Sequence, residues 1–204
     1  MSDNAEDLDV KEKDVAEKSR KAFSQILYDK ADQPGKKLCI SFLGQYGWKC
    51  PYQTEEFAKG DLPFQKMGSN GNIIQKIMEI ELRLKHWISG PFPFTDDYSV
   101  PNKKGDSTYT FDYFIGFNRM GNGAMTITKN AIKNSRTIRK PTSNEFSNQK
   151  TDNEPFKYVP ILNCHAQHIL VNNIWIPFPK QYWQDRKMIR LTRNAIDNNL
   201  PLPF

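Results

Sequence analysis

The residues best equipped for chemistry lie in one pentapeptide, Cys164-His165-Ala166-Gln167-His168. Thiolate and imidazole are zinc ligands, and zinc needs three or four such donors in a tetrahedral set. The segment reads as a strand, so Cys164, Ala166 and His168 share one face while His165 points the other way. Only two of the three then reach a single ion without a bulge. Cys39, Cys50 and His86 show no ligand spacing, so the pentapeptide is expected to be a buried cysteine beside two strand histidines, with no metal and no cofactor. A nucleophilic Cys164 or Cys50 would need an imidazole or a helix N-terminus against it. A hydrolase or nuclease using His165 or His168 is the catalytic alternative.

The acids add no second constellation. Asp96-Asp97 and Glu55-Glu56 are sequence neighbours and diverge on any regular element. Asp96 and Asp112 with a lysine lack the Asp…Glu-x-Lys order of a two-metal nuclease. Gly116, Gly121 and Gly123 sit in a hairpin pattern rather than a strand-to-helix phosphate loop. A binding or structural role is therefore favoured over catalysis.

Cations interleaved with aromatics are the stronger signal. Residues 129–140 carry Lys129, Lys133, Arg136, Arg139 and Lys140 with no acid, and a second group holds Arg186, Lys187, Arg190 and Arg193. Tyr113 and Phe117 lie near the first group, and Tyr182 and Trp183 lie near the second. Cations for phosphates and flat rings for bases are the means by which single strands are bound. The same cations would attract an acidic membrane surface, at about 1 kcal/mol each near a charged leaflet. The competing reading is that the hairpin rings are core and the arginine row is a solvated face.

The chain has 204 residues, a formal charge of +6 and a pI near 9.1. Residues 1–30 hold eight acids and six bases, so residues 31–204 carry +8. A basic body favours anionic partners. Mean hydropathy is −0.70, and no apolar run approaches the roughly 20 residues of a membrane span. Three cysteines without a CxxC pair fit a reduced, cytoplasmic setting.

The elements that must position these side chains follow from periodicity. Residues 1–12 are expected to be a mobile acidic segment, and 13–204 one α+β domain. A helix is predicted over about Lys13 to Tyr28, broken by Pro34-Gly35, and Lys37–Leu43 alternates like a strand. In Asn72–Trp87, Ile73, Ile77, Ile80 and Leu84 recur at helical spacing, and Ser89-Gly90-Pro91 would end the helix. This predicts a central amphipathic helix covering an antiparallel sheet built of hairpins. Tyr109–Phe117 and Ala124–Thr128 form the clearest hairpin, with Asn122-Gly123 at its turn and Gly121 allowing a longer one. Residues 44–68, 90–107 and 141–155 read as connections. Tyr158–Val171 and Ile174–Phe178 read as strands around Asn172-Asn173, and Pro179 opens a C-terminal helix. The closing LPLPF distantly resembles the Pro-Phe tail of bacterial single-strand DNA-binding proteins, without its acidic run.

In outline, residues 37–178 resemble the matrix proteins of rhabdoviruses. The resemblance rests on the opening Lys37–Leu43 segment, the Pro63-Phe64 entry, the element ending at Trp87, the Gly-containing stretch Ile115–Asn130, and Ile174-Trp175-Ile176. It departs from that family in lacking PPxY and PTAP motifs and in having acids where an N-terminal lysine cluster is expected. It implies a non-enzymatic, self-associating protein that contacts an acidic membrane and a nucleocapsid through basic surface.

Overall fold

The computed structural model describes residues 31–51, 61–84, 86–93, 96–107, 109–143 and 150–197. The N-terminal segment, the helix predicted before Tyr28 and the LPLPF tail lie outside them. The fold is α+β: the described residues form two sheets and three helices, with pairing mostly antiparallel.

Helix α1 (Gln33–Gly44) replaces the strand predicted at Lys37–Leu43. Its buried positions Gly35, Lys36, Cys39, Phe42 and Leu43 follow helical spacing. Pro34 lies in the first turn, where its missing N–H costs nothing, so it opens the helix instead of breaking the chain. A Cβ on Gly35 would stand 3.3 Å from Ile80 Cγ2, so glycine there lets α1 lie close on the sheet.

The predicted central helix is a strand. β2 (Ile73–Leu82) pairs antiparallel with β1 (Asp61–Met67) and parallel with β4 (Tyr113–Phe117). Met78, Ile80 and Leu82 contribute to the cluster under α1. On the other face Glu79 is buried in an ion pair with Lys104, and Glu81 approaches Arg83 at 3.5 Å. These acids hide the alternation of a strand wrapped on both sides and leave an accidental helical pattern of isoleucines.

The large sheet runs β1-β2-β4-β5-β8-β9, with β5 (Gly123–Thr128), β8 (Ala166–Val171) and β9 (Ile174–Phe178). The expected hairpin is β4–β5. Its turn is the longer form: Gly121 carries φ +68° and donates to the Asn118 carbonyl at 3.0 Å. Asn172 and Asn173, at φ 48° and 63°, make the expected two-residue β8–β9 turn.

The second sheet, β3-β7-β6, draws mainly on segments not read as strands. β3 (Asp97–Pro101) and most of β7 (Lys150–Pro160) come from predicted connections, with only Tyr158–Pro160 in a predicted strand. β6 (Arg136–Ser143) begins in the first basic segment. A short helix α2 (Lys129–Lys133), capped by the Thr128 hydroxyl, links β5 to β6. Helix α3 (Gln181–Asp197) is the predicted C-terminal helix.

One core lies on each face of the large sheet. α1 closes the first, with Phe42, Phe64, Ile115, Phe117 and Trp175. The second gathers Trp87, Phe92, Tyr98, Phe114, Met125, Ile127, Val159 and Trp183. The loop bearing Trp87 is bolted to the hairpin turn. Gly90 N–H donates to Asn122 Oδ1 at 2.8 Å, Asn118 Nδ2 reaches the Gly90 carbonyl at 3.0 Å, and Trp87 Nε1 donates to that same carbonyl at 2.9 Å.

Gly116 marks the tightest approach in the second core, because a Cβ there would fall on the Tyr98 hydroxyl. Gly116→Ala is expected to cost about 3 kcal/mol by overpacking. Gly44, whose Cβ would meet nothing within 4 Å, should accept alanine with a change within roughly 0.5 kcal/mol or a gain. Urea unfolding midpoints of the two variants check the contrast.

Candidate functional site

The adjacent aspartates Asp96 and Asp97 stand at the start of β3, and each holds an arginine from a different basic segment. Arg190 of α3 forms a bidentate pair with Asp96, with Nη2 to Oδ1 at 2.5 Å, and Arg136 of β6 pairs with Asp97. These acids diverge as expected, and their divergence joins the two segments. Arg186 donates to the Tyr182 hydroxyl at 3.0 Å and lies 5.5 Å over its ring. Arg136 lies 6.0 Å over the ring of Tyr158.

The other cations are distributed differently. Lys129 is turned to the Asp106 carbonyl at 2.8 Å and the Phe111 ring, which makes it a structural residue. Lys133, Arg139 and Lys187 are exposed. Lys140 sits at the β6 bulge opposite Glu154 in register, and Arg193 continues α3 beyond Arg190. A polar groove of about 510 Å³ opens beside Arg136, with Asn130, Asn134 and Asn163 amides and Tyr158 in its walls. Of the rings placed beside the first basic segment, Phe117 is fully buried, as the core reading has it.

The pentapeptide is arranged differently from the strand reading. β8 begins only at Ala166, and Cys164 closes a 3-10 turn over Ile161–Asn163. Cys164 packs into the second core, its thiol donating to the Pro160 carbonyl at 3.7 Å, and burial pushes its pKa up to about 12. It is a thiol at neutral pH, not a nucleophilic thiolate. His165 lies before the strand, so it escapes the alternation and lines the same pocket as His168.

That pocket, of about 330 Å³, lies between the C-terminal end of α1 and the first face of the sheet. Phe42 and Tyr46 meet the His168 ring edge-on at 4.9 and 5.5 Å, and Tyr113 lies 5.6 Å from His165. Burial lowers the His168 pKa, and the neighbouring His165 lowers it further. No group of three or more metal-ligating side chains occurs among the described residues. Asp112 accepts from Lys76 Nζ at 2.9 Å and from the Ile77 amide at 2.8 Å, a structural role that ties it to β2.

No family model, curated protein or solved structure matches the chain. The geometry therefore carries the functional argument alone. It offers two features: a surface where basic segments join, and an aromatic pocket with two imidazoles. The pocket was hidden in the sequence because Phe42 comes from a segment whose helical spacing was masked by strand-like alternation, and Tyr46 and Trp48 come from the stretch after it that read as a connection. No described helix is long and apolar enough to cross a membrane.

Folding lowers the His168 pKa, so the unfolded chain takes up that proton more readily. The stability held by the neutral imidazole is then full above about pH 6.5 and falls as pH drops below it. His168→Phe keeps a ring between Phe42 and Tyr46 and removes the titration. Urea midpoints at about pH 7.5 and about pH 5 should fall less in the variant than in the parent.

Proposed function

We propose that the chain is a non-enzymatic protein that binds single-stranded nucleic acid on the surface joined at Asp96-Asp97. The observation that carries this reading is the pairing of these two neighbours with Arg190 and Arg136, which brings both basic segments to one place. Lys133, Arg136, Arg139, Lys180, Arg186, Lys187 and Arg190 are set against Asp96, Asp97 and Asp185, so the described residues there keep a positive excess. The Arg190–Asp96 pair is about half exposed on both sides and worth only about 0–1 kcal/mol, so a phosphate can replace that carboxylate at small cost, while Asp97, 12% exposed, keeps Arg136 positioned beside it. Amides line the groove beside Arg136 and can meet base edges, while Tyr158 and Tyr182 put rings next to the cations.

A second reading follows from α3. Met188 and Ile189 are exposed beside Arg186, Lys187 and Arg190, a pattern that suits a helix lying on an acidic membrane. This is the matrix-type, self-associating role implied by the rhabdovirus resemblance. Two segments carrying that resemblance, Lys37–Leu43 and the element ending at Trp87, have structures other than those read into it. The strand-binding reading is therefore placed first.

Affinity for a thymine oligonucleotide, measured across salt concentrations, tests the proposal. Contact with four phosphates predicts a log–log slope near −3. Arg136→Gln with Arg190→Gln should reduce the slope by about 1.4, whereas Asp96→Asn should tighten binding. A flat salt response removes the proposal. Flotation with anionic vesicles but no affinity for the oligonucleotide would favour the membrane role instead.

A further inference from the structure

The basic surface leaves unexplained the pocket on the other side of the molecule's large sheet. Its composition is specific. Phe42, Tyr46 and Trp48 come from α1 and the turn after it, Tyr113 from β4, and His165 and His168 from the start of β8. Among the described residues, no Asp, Glu, Lys or Arg lines it. Its volume of about 330 Å³ falls at the small end of ligand cavities, which hold mostly apolar walls and a few placed polar groups. Aromatic walls favour flat rings, which they meet by stacking or by edge contact.

The polar groups include the two imidazoles, with the hydroxyls of Thr126 and Tyr113 also in the walls. His168 Nδ1 is shut away without a hydrogen-bond partner among the described residues, which leaves Nε2 as its nitrogen for a ligand. The Tyr46 hydroxyl is engaged already, donating to the Trp175 carbonyl at 3.0 Å. That bond fixes the ring as a wall instead of a reacting group.

We propose that this pocket binds a single uncharged heteroaromatic ring of nucleobase type, held between aromatic side chains and hydrogen-bonded at its edge by His168 Nε2. A neutral imidazole offers either a donor or an acceptor there, and the lowered pKa of His168 keeps it neutral at physiological pH. A charged substituent such as a phosphate would have to stay outside the mouth, since nothing inside neutralises it. The ring can arrive as a free nucleoside or as one base of a strand. The site does not depend on the basic surface being a strand-binding surface.

The test is a titration of the full chain with adenosine, followed through the nitrogen resonances of the histidine side chains. Adenosine should saturate one site and move the His168 signals, and ribose alone should not. His168→Phe preserves the ring packing and should weaken adenosine binding about tenfold, as expected for one lost hydrogen bond to a buried group. If that variant fails to fold, the His168 resonances of the unaltered protein still decide the matter. An adenine oligonucleotide that moves the same signals identifies the strand as the source of the ring, and an effect of adenosine alone identifies a free ligand. Unmoved His168 resonances, or equal adenosine affinity in a folded His168→Phe protein, overturn the proposal.

Discussion

The parallel pairing of β2 with β4 is the constraint from which the rest of the architecture follows. Antiparallel neighbours can be joined by a tight turn, but parallel strands need a long crossover. Here the crossover is residues 83–112, and it must cross a face of the sheet. It therefore carries the side chains that cover that face: Trp87, Phe92, Tyr98 and Phe111. Two devices hold it down. The Asn118–Asn122 amides grip its Gly90 end, and Tyr98 settles against the bare backbone of Gly116. β3 then becomes the edge on which β7 and β6 assemble the second sheet.

The same crossover sets the surface chemistry. Asp96 and Asp97 lie at its turn into β3, where β6 and α3 both come within reach. Of the two pairs, Arg190–Asp96 adds little stability because both partners are about half exposed, whereas Asp97 in the Arg136 pair is only 12% exposed. Their consequence is positional: two basic segments far apart in sequence share one place. The opposite face is different in kind. There α1 leaves an aromatic pocket whose described lining carries no Asp, Glu, Lys or Arg, so the two candidate sites call for different ligand chemistry.

Local signals in the sequence correspond to local structure. The Tyr113–Thr128 hairpin, the Asn172-Asn173 turn and the helix after Pro179 depend on turn dipeptides and proline placement, which need no distant partner. The exchange of helix and strand at Lys37–Leu43 and Ile73–Leu82 has a physical cause. Lys104 and Arg83 attend acids on the inner face of β2, and without those partners in view Glu79 reads, with Lys76 and Arg83, as the polar side of a helix. Leu38, Ile40 and Phe42 alternate with Cys39, Ser41 and Leu43 by chance, while the buried stripe runs from Gly35 through Cys39 to Leu43. The β3-β7-β6 sheet was hidden because each of its strands contains proline and few apolar residues, which reads as loop. The basic residues were legible as a composition. Their meeting at Asp96-Asp97 was not, since it depends on where the crossover ends.

The claim that the two basic segments act as one surface is tested most directly by backbone amide spectra during titration with a single-stranded oligonucleotide. The account predicts that amides around Arg136–Arg139 and around Arg186–Arg190 shift together, with one common midpoint. Shifts confined to one segment, or separate midpoints for the two, would contradict it.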